Sequence, residues 1–136
     1  MLISEKNIEK SLDYFDSLND DKFEKLVDNI LEEQAYLSTF FQQNLDHFFD
    51  EDDTIKDFAY NLYFTVLYVY KSKSKNYPII DDKQLNKTIE KGNTEHNQEE
   101  LGDFIYTQLV ESEFAKDDFM KVLGLLNVVI LCLENE

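Results

Sequence analysis

The stretch that decides the fold runs from Thr54 to Tyr70 and reads TIKDFAYNLYFTVLYVY. Its apolar side chains recur every three or four residues, which is the period of an α-helix. One row has the spacing of an ordinary core face, and a second row, rich in tyrosine, lies about 100° to 160° around the helix. The first row is Ile55, Phe58, Leu62, Val66 and Val69, and the second is Tyr60, Tyr63, Leu67 and Tyr70. Such a helix is either surrounded by neighbouring helices or presents its tyrosine side to another molecule.

The composition of the whole chain extends this helical prediction to the rest of the molecule. The 136 residues suffice for one domain, and three glycines with one proline are too few for the turns of a β-sandwich or barrel. Leu, Ile, Val and Phe make up about a third of the residues, well above the roughly one fifth typical of disordered chains. The sequence therefore predicts an all-α fold, a single domain over residues 1–136 built as a bundle of five to six helices with an aromatic-rich core.

Four Asp-Asp doublets predict where helices begin, because an Asp side chain can accept the free N–H groups of a first turn. The doublets are Asp20-Asp21, Asp52-Asp53, Asp81-Asp82 and Asp117-Asp118. The apolar period then predicts six helices. The first follows Ser4, and the second runs from Asp21 to Phe48 with a kink around Ser38-Thr39. The third runs from a capping box at Thr54 and Asp57 to a loop beginning at Lys71. The fourth runs from Asp82 to Gly92, the fifth starts at Thr94, and the sixth runs from Asp118 to Leu133. For residues 127–131 we favour helix over a buried strand, since no other segment offers a strand partner.

The charge of the chain limits the partners that it can have. Twenty-nine acidic residues stand against 13 basic ones, all of them lysines, for a net charge of −16. Nucleic acids and anionic membranes are bound mainly through Lys and Arg, so the sequence predicts neither as a partner. The acidic residues are concentrated in residues 1–57 and 94–136, whereas residues 58–93 carry more lysines than acids.

The single cysteine and the length of the apolar runs bear on where the protein resides. Cys132 has no second cysteine with which to form an internal disulfide. The N-terminus lacks the pattern of a signal peptide, and the longest apolar run, Val122 to Leu133, falls short of the roughly 20 residues that cross a bilayer. The sequence predicts a cytoplasmic protein.

Both histidines are followed by acids at helical spacing, a pattern that would suit a metal site. The two sets are His47 with Asp50 and Glu51, and His96 with Glu99 and Glu100. On helices, each set would place an imidazole and carboxylates on one face, and the alternative prediction is a metal-dependent helical-bundle enzyme. Di-iron bundles, however, place the glutamate three residues before the histidine. We therefore interpret both sets as solvated helix surface and predict no catalytic residue, no metal ligand and no cofactor.

The position of the acidic residues suggests a protein-binding surface. A run of acids immediately precedes the tyrosine-bearing helix, which combines charges that steer association with aromatic side chains that bind tightly. The predicted contact residues are Asp46, Asp50, Glu51, Asp52, Asp53 and Asp57, or Glu99, Glu100 and Asp103, around Tyr60 and Tyr63. We predict a non-catalytic module for a basic protein partner, with solubility alone as the other explanation of the charge. The oligomeric state stays open, and a homo-oligomer is one option.

In charge, size and inferred helicity, the chain is similar to the acidic helical immunity proteins that neutralise bacterial nuclease toxins. The resemblance is one of general character and is not carried by a motif. It implies an inhibitor-like protein that binds a basic partner without catalysis.

Overall fold

The computed structural model describes residues 2–74, 77–92 and 95–134, and in these residues it contains seven α-helices and no strand. The helices are α1 (Glu5–Ser17), α2 (Asp20–Glu33), α3 (Ala35–Phe49), α4 (Asp53–Lys73), α5 (Asp82–Lys91), α6 (Glu99–Glu111) and α7 (Lys116–Glu134). The all-α class is confirmed, and residues 127–131 are helical. The expected number of five to six helices is too low by at least one.

The additional helix arises because the segment predicted as one long helix is divided at Gln34. The predicted kink at Ser38-Thr39 is therefore wrong by about one turn. Gln34 is fully buried; its Nε2 donates to the carbonyl of Pro78 at 2.5 Å, and its Oε1 accepts from the backbone N–H of Ile80 at 3.0 Å. The break between α2 and α3 lets this amide satisfy two backbone groups of the segment that leads into α5.

The acidic doublets do lie at helix starts. Asn19 caps α2 just ahead of its doublet, Asp52 and Asp81 cap α4 and α5, and the fourth doublet lies in the first turn of α7. The capping box expected at Thr54 is wrong, because α4 begins one residue earlier and its cap is Asp52, which accepts from the N–H of Ile55 at 3.2 Å.

Of three further helix boundaries predicted from the sequence, one is wrong, one is confirmed and one lies outside the described residues. Helix α4 continues through the expected loop start at Lys71 and ends at Lys73. Helix α5 ends where predicted, at Gly92, whose φ of 62° is left-handed and suits glycine. Thr94, the predicted start of the next helix, lies outside the described residues, and α6 begins at Glu99.

Helices α4 and α7 form the centre of the bundle. Helix α4 packs on α1, α2, α3 and α7, while α7 also packs on α3, α5 and α6. One cluster of buried apolar side chains draws on all seven helices, and its largest fully buried members are Tyr63, Tyr70 and Phe41. Both apolar rows of α4 are thus largely covered by neighbours, and Thr65 from its polar strip is also buried.

Two turns of the chain meet at one end of the molecule. Phe58 near the start of α4 makes an edge-to-face contact with Phe114 in the turn between α6 and α7, with ring centroids 5.2 Å apart. Lys121 of α7 lies 5.5 Å from the ring of Phe48 near the end of α3. The α3–α4 and α6–α7 turns therefore share this end. Within the described ranges, none of the helices has the length and apolar character needed to span a membrane.

Candidate protein-docking surface

The shared end of the bundle collects acidic residues from two distant parts of the sequence. We call residues 46–57 and 111–121 the acidic end. Its acids are Asp46, Asp50, Glu51, Asp52, Asp53 and Asp57 from the first segment and Glu111, Glu113, Asp117 and Asp118 from the second. All are exposed except Asp118, which is half-buried. The sequence showed both segments to be acidic, and the Phe58–Phe114 and Phe48–Lys121 contacts bring them together.

The lysines of the acidic end compensate little of this charge. Lys56 lies 3.4 Å from Asp46 Oδ1 and 3.7 Å from Asp53 Oδ1, and it donates to the carbonyl of Asp50 at 2.8 Å. Besides Lys56, the two segments carry only Lys116 and Lys121. Ten carboxylates thus face three ammonium groups in one region, which produces a negative potential that attracts basic partners.

Two of the predicted contact acids also stabilise helix starts, Asp52 in the acidic end and Glu100 outside it. Asp52 caps α4, so its substitution would affect folding as well as charge. Glu100, which the sequence grouped with Glu99 and Asp103 as possible contacts, accepts from the N–H of Glu5 at 3.0 Å and so satisfies the first turn of α1.

The second predicted group of contacts lies away from the acidic end. Glu99 and Glu100 begin α6, whereas Phe114 follows its C-terminus. A helix of 13 residues is about 20 Å long at 1.5 Å per residue. Glu99, Glu100 and Asp103 are exposed, but they belong to the opposite end of α6 and do not extend the acidic end.

Tyr63 has no exposed surface, which removes it from the predicted contacts. Its ring stacks on Phe41 with centroids 4.5 Å apart and an interplanar angle of 17°. Its hydroxyl forms a 2.6 Å hydrogen bond with Ser38 Oγ, and burial raises the pKa of the phenol well above its usual value. The prediction that Tyr63 meets a partner is therefore wrong, because the packing of α3 on α4 covers it.

Tyr60, by contrast, remains half-buried beside the acidic end. Burial and, to a smaller extent, the carboxylate of Asp46 raise the pKa of its phenol. Its ring is stacked against Phe64, with centroids 6.1 Å apart. Of the two tyrosines predicted as contacts, only Tyr60 is available to another molecule.

Tyr60 lines an open groove between α2, α3 and α4 with a volume of about 540 Å³. The lining residues are Leu31, Ser38, Gln42, Asp57, Tyr60, Asn61 and Phe64. Of these, the sequence had singled out Asp57 and Tyr60 as contacts. Leu31, Gln42 and Phe64 were missed because they follow helical spacing within their own helices, and only tertiary packing leaves them beside an opening.

The two histidine sets are not assembled in the structure. Asp50 and Glu51 follow the end of α3, and His96 precedes the start of α6. His96 instead accepts from the N–H of Gln98 at Nδ1, at 3.1 Å, and its Nε2 lies 3.2 Å from Asn127 Oδ1. No group of three His, Cys, Asp or Glu residues in the described part of the chain is placed to hold a metal ion.

Comparison of the chain with protein-family models, curated proteins and solved structures finds no match. Its class is therefore defined by its own geometry, as an acidic all-α bundle with an open groove beside one strongly negative end. Any function has to be argued from these two surface features.

Proposed function

We propose that this protein is a non-catalytic binding module that docks a basic protein on its acidic end. The observation that carries the proposal is the meeting of two acidic turns at one end of the bundle, through the Phe58–Phe114 contact. Converging charges of one sign raise the association rate of an oppositely charged partner and disfavour partners of the same sign. Such a module agrees with the immunity-like character that the sequence suggested.

The scaffold supports this use of the acidic end. Its carboxylates lie in and beside two short turns whose flanking helices pack into the common core. Surface charges that are held by a rigid framework lose little freedom on binding, which favours a specific complex. Acids on α1 and α2 are also numerous, but they are interspersed with Lys6, Lys10, Lys22 and Lys25 along two helices.

Two matched variants test the proposal. The first neutralises the acidic end with Asp50→Asn, Glu51→Gln, Asp52→Asn and Asp53→Asn; asparagine at position 52 retains the capping oxygen of α4. The control neutralises four exposed acids of α1 and α2, with Glu9→Gln, Asp13→Asn, Asp16→Asn and Glu24→Gln. Each variant loses four negative charges, so comparing them shows whether the position of the lost charge matters for binding.

Affinity capture from the native host with quantitative mass spectrometry is the first measurement. We expect a basic protein that is retained by the unmodified chain and by the control variant and lost by the variant of the acidic end. With that partner purified, the acidic-end variant should associate about tenfold more slowly and with a flatter salt dependence. A partner that binds all three proteins at equal rates would show that the charge serves solubility alone.

The expected cellular setting follows from the sequence alone. The net charge of −16 argues for a protein partner and against nucleic acid. We extend the proposal to a cytoplasmic module, because a single cysteine without an internal disulfide partner suits a reducing compartment.

A further inference from the structure

We infer that the groove between α2, α3 and α4 receives an amphipathic basic helix of the partner. This inference rests on the proposed function and specifies the partner's chemistry. Apolar side chains of the incoming helix would pack on Leu31, Tyr60 and Phe64, and its lysines or arginines would face Asp57 and Asp46. The groove thus supplies the contact that holds a partner after the acidic end has attracted it.

The shape of the groove fits a helix. Helix α4 contributes Asp57, Tyr60, Asn61 and Phe64, which lie on one face and span about 10 Å at 1.5 Å per residue. Ser38 and Gln42, one turn apart on α3, form the facing wall. A trough of two helical turns between two helices accepts anchors at positions i, i+3 or i+4, and i+7 of a third helix.

The floor of the groove offers apolar surface that the core does not fully cover. Tyr60 and Phe64 are half-buried and stacked on each other, and Leu31 keeps 37% of its surface exposed. The exposed side chains of Gln42 and Asn61 add polar groups to the lining beside this apolar surface. An apolar floor with a few polar groups is the usual composition of a binding site.

Charge decides which helix fits this groove. Among the residues that the structure describes, its lining contains the carboxylate of Asp57 and no lysine, and Asp46 lies close enough to Tyr60 to raise the pKa of its phenol. Lys56, the nearest cation along α4, is already engaged with Asp46, Asp53 and the carbonyl of Asp50. An apolar helix with acidic flanks would be repelled, whereas one with basic flanks pairs with Asp57 and shares Asp46 with Lys56.

A second copy of the chain is the competing occupant, and its charge counts against it. Its helix with the highest proportion of lysine is α5, where Lys83, Lys87 and Lys91 form one row. Each copy nevertheless carries a net charge of −16, so two copies repel each other at low ionic strength.

The test is an NMR titration of the uniformly ¹⁵N-labelled full chain with a synthetic 18-residue helical peptide of leucine and lysine, with its leucines on one face. The control peptide has the same composition in an order that gives no apolar face. We expect the amphipathic peptide to bind at least tenfold more tightly and to shift the amides of Gln42, Tyr60 and Asn61. The control peptide should shift amides of the acidic end only, since charge alone attracts it.

Two matched substitutions locate the contact. Leu31→Gln removes an apolar group from the groove, and Ile89→Gln removes one of similar exposure, 44% against 37%, from α5. We expect Leu31→Gln to weaken binding of the amphipathic peptide about tenfold, and Ile89→Gln to leave it unchanged. Neither change should alter binding of the control peptide.

The outcomes separate this inference from the proposed function. Equal affinities for the two peptides, or equal effects of the two substitutions, would overturn the groove as the docking site without contradicting the proposal for the acidic end. Loss of partner binding in Leu31→Gln, with no effect of neutralising the acidic end, would support the groove and contradict the charge-based proposal. Light scattering that shows a dimer without peptide, lost in Leu31→Gln, would assign the groove to a second copy and overturn the inference.

Discussion

At the scale of single residues, Tyr60 and Tyr63 of α4 occupy similar positions in the sequence pattern but have different environments in the structure. Tyr60 and Tyr63 are one helical turn apart, and both stand in the same apolar row of the sequence. Tyr60 stays half-buried beside a groove, whereas Tyr63 is covered by Phe41 and bonded to Ser38. The hydroxyl makes tyrosine suitable for both roles, because it can remain in water or find a buried partner.

Tyr63→Phe tests whether the buried hydroxyl is a structural group. Phenylalanine keeps the stacking on Phe41 but leaves Ser38 Oγ without its partner, so we expect a loss of about 1 kcal/mol in the free energy of unfolding. Tyr63→Ala should cost about 3–5 kcal/mol through the cavity that it creates. Urea denaturation measures both, and Tyr106→Phe at an exposed position of α6 is the matched control. A Tyr63→Phe protein as stable as the control would mean that the Ser38 bond contributes nothing.

Three tyrosines with little or no hydroxyl exposure predict the response of the protein to alkali: the buried Tyr63 and Tyr70 and the half-buried Tyr77. Burial raises the pKa of Tyr63, Tyr70 and Tyr77 above the value of about 10 in an unfolded chain. Above pH 10 the unfolded state therefore releases protons that the folded state retains, and stability falls as pH rises. The loss approaches about 1.4 kcal/mol per pH unit for each such group.

Phenolate absorbance and circular dichroism, followed together from pH 9 to 12, measure this effect. We expect Tyr63, Tyr70 and Tyr77 to ionise only as helicity is lost. Ionisation of all eight tyrosines before any loss of helicity would contradict the burial described for α4.

At the scale of helices, the division between α2 and α3 shows a tertiary contact overruling a local pattern. The apolar residues of segment 23–48 fit a single helix in which the polar Gln34 stands between Leu31 and Leu37, and one polar residue in such a row does not by itself predict a break. The break coincides with the two hydrogen bonds of the Gln34 amide to Pro78 and Ile80. Buried backbone groups need partners, and supplying them outweighs one continuous turn of helix.

Gln34→Ala is expected to destabilise the protein by about 2–4 kcal/mol. The substitution suits a helix but leaves two backbone groups near the core without their partner, each at a cost of about 1–3 kcal/mol. Gln42→Ala, on the exposed side of α3, should change stability by less than about 0.5 kcal/mol. Thermal and urea unfolding measure both. A Gln34→Ala protein that gained stability would show that helix propensity governs this junction.

At the scale of the whole molecule, the net charge of −16 produces a negative potential around the protein and also destabilises the folded state through repulsion. Among the described residues, three ion pairs involve only Lys56 and Lys71 as cations. Like charges in the compact state repel each other, and this repulsion falls as salt screens it. Folding therefore depends on the apolar core that all seven helices share.

We expect the melting temperature to rise as ionic strength increases from about 10 mM to about 200 mM, because the Debye length shortens to below about 10 Å. The melting temperature of the acidic-end variant proposed above should respond less to added salt than that of the unmodified chain. Calorimetric scans in sodium chloride, with sucrose as an uncharged control solute, separate screening from preferential exclusion. A melting temperature that falls with salt would show that attractive pairs dominate.

The sequence by itself determined the features that depend on neighbours along the chain. The period of the apolar residues established the all-α class, and Asp52 and Asp81 beside the first turns located helix starts to within a residue or two. These signals are readable because helix formation and capping act over three or four residues.

Only the tertiary structure decided the features that join distant segments. Gln34 bonds to residues 44 and 46 positions away, Phe58 meets Phe114, and α3 covers Tyr63 but not all of Tyr60. A helical period shows which residues share a face, but it does not state which other helix covers that face. The acidic end and its adjoining groove therefore came from the packing of α2, α3 and α4 and from the contact between the α3–α4 and α6–α7 turns, because burial is a property of the assembled bundle.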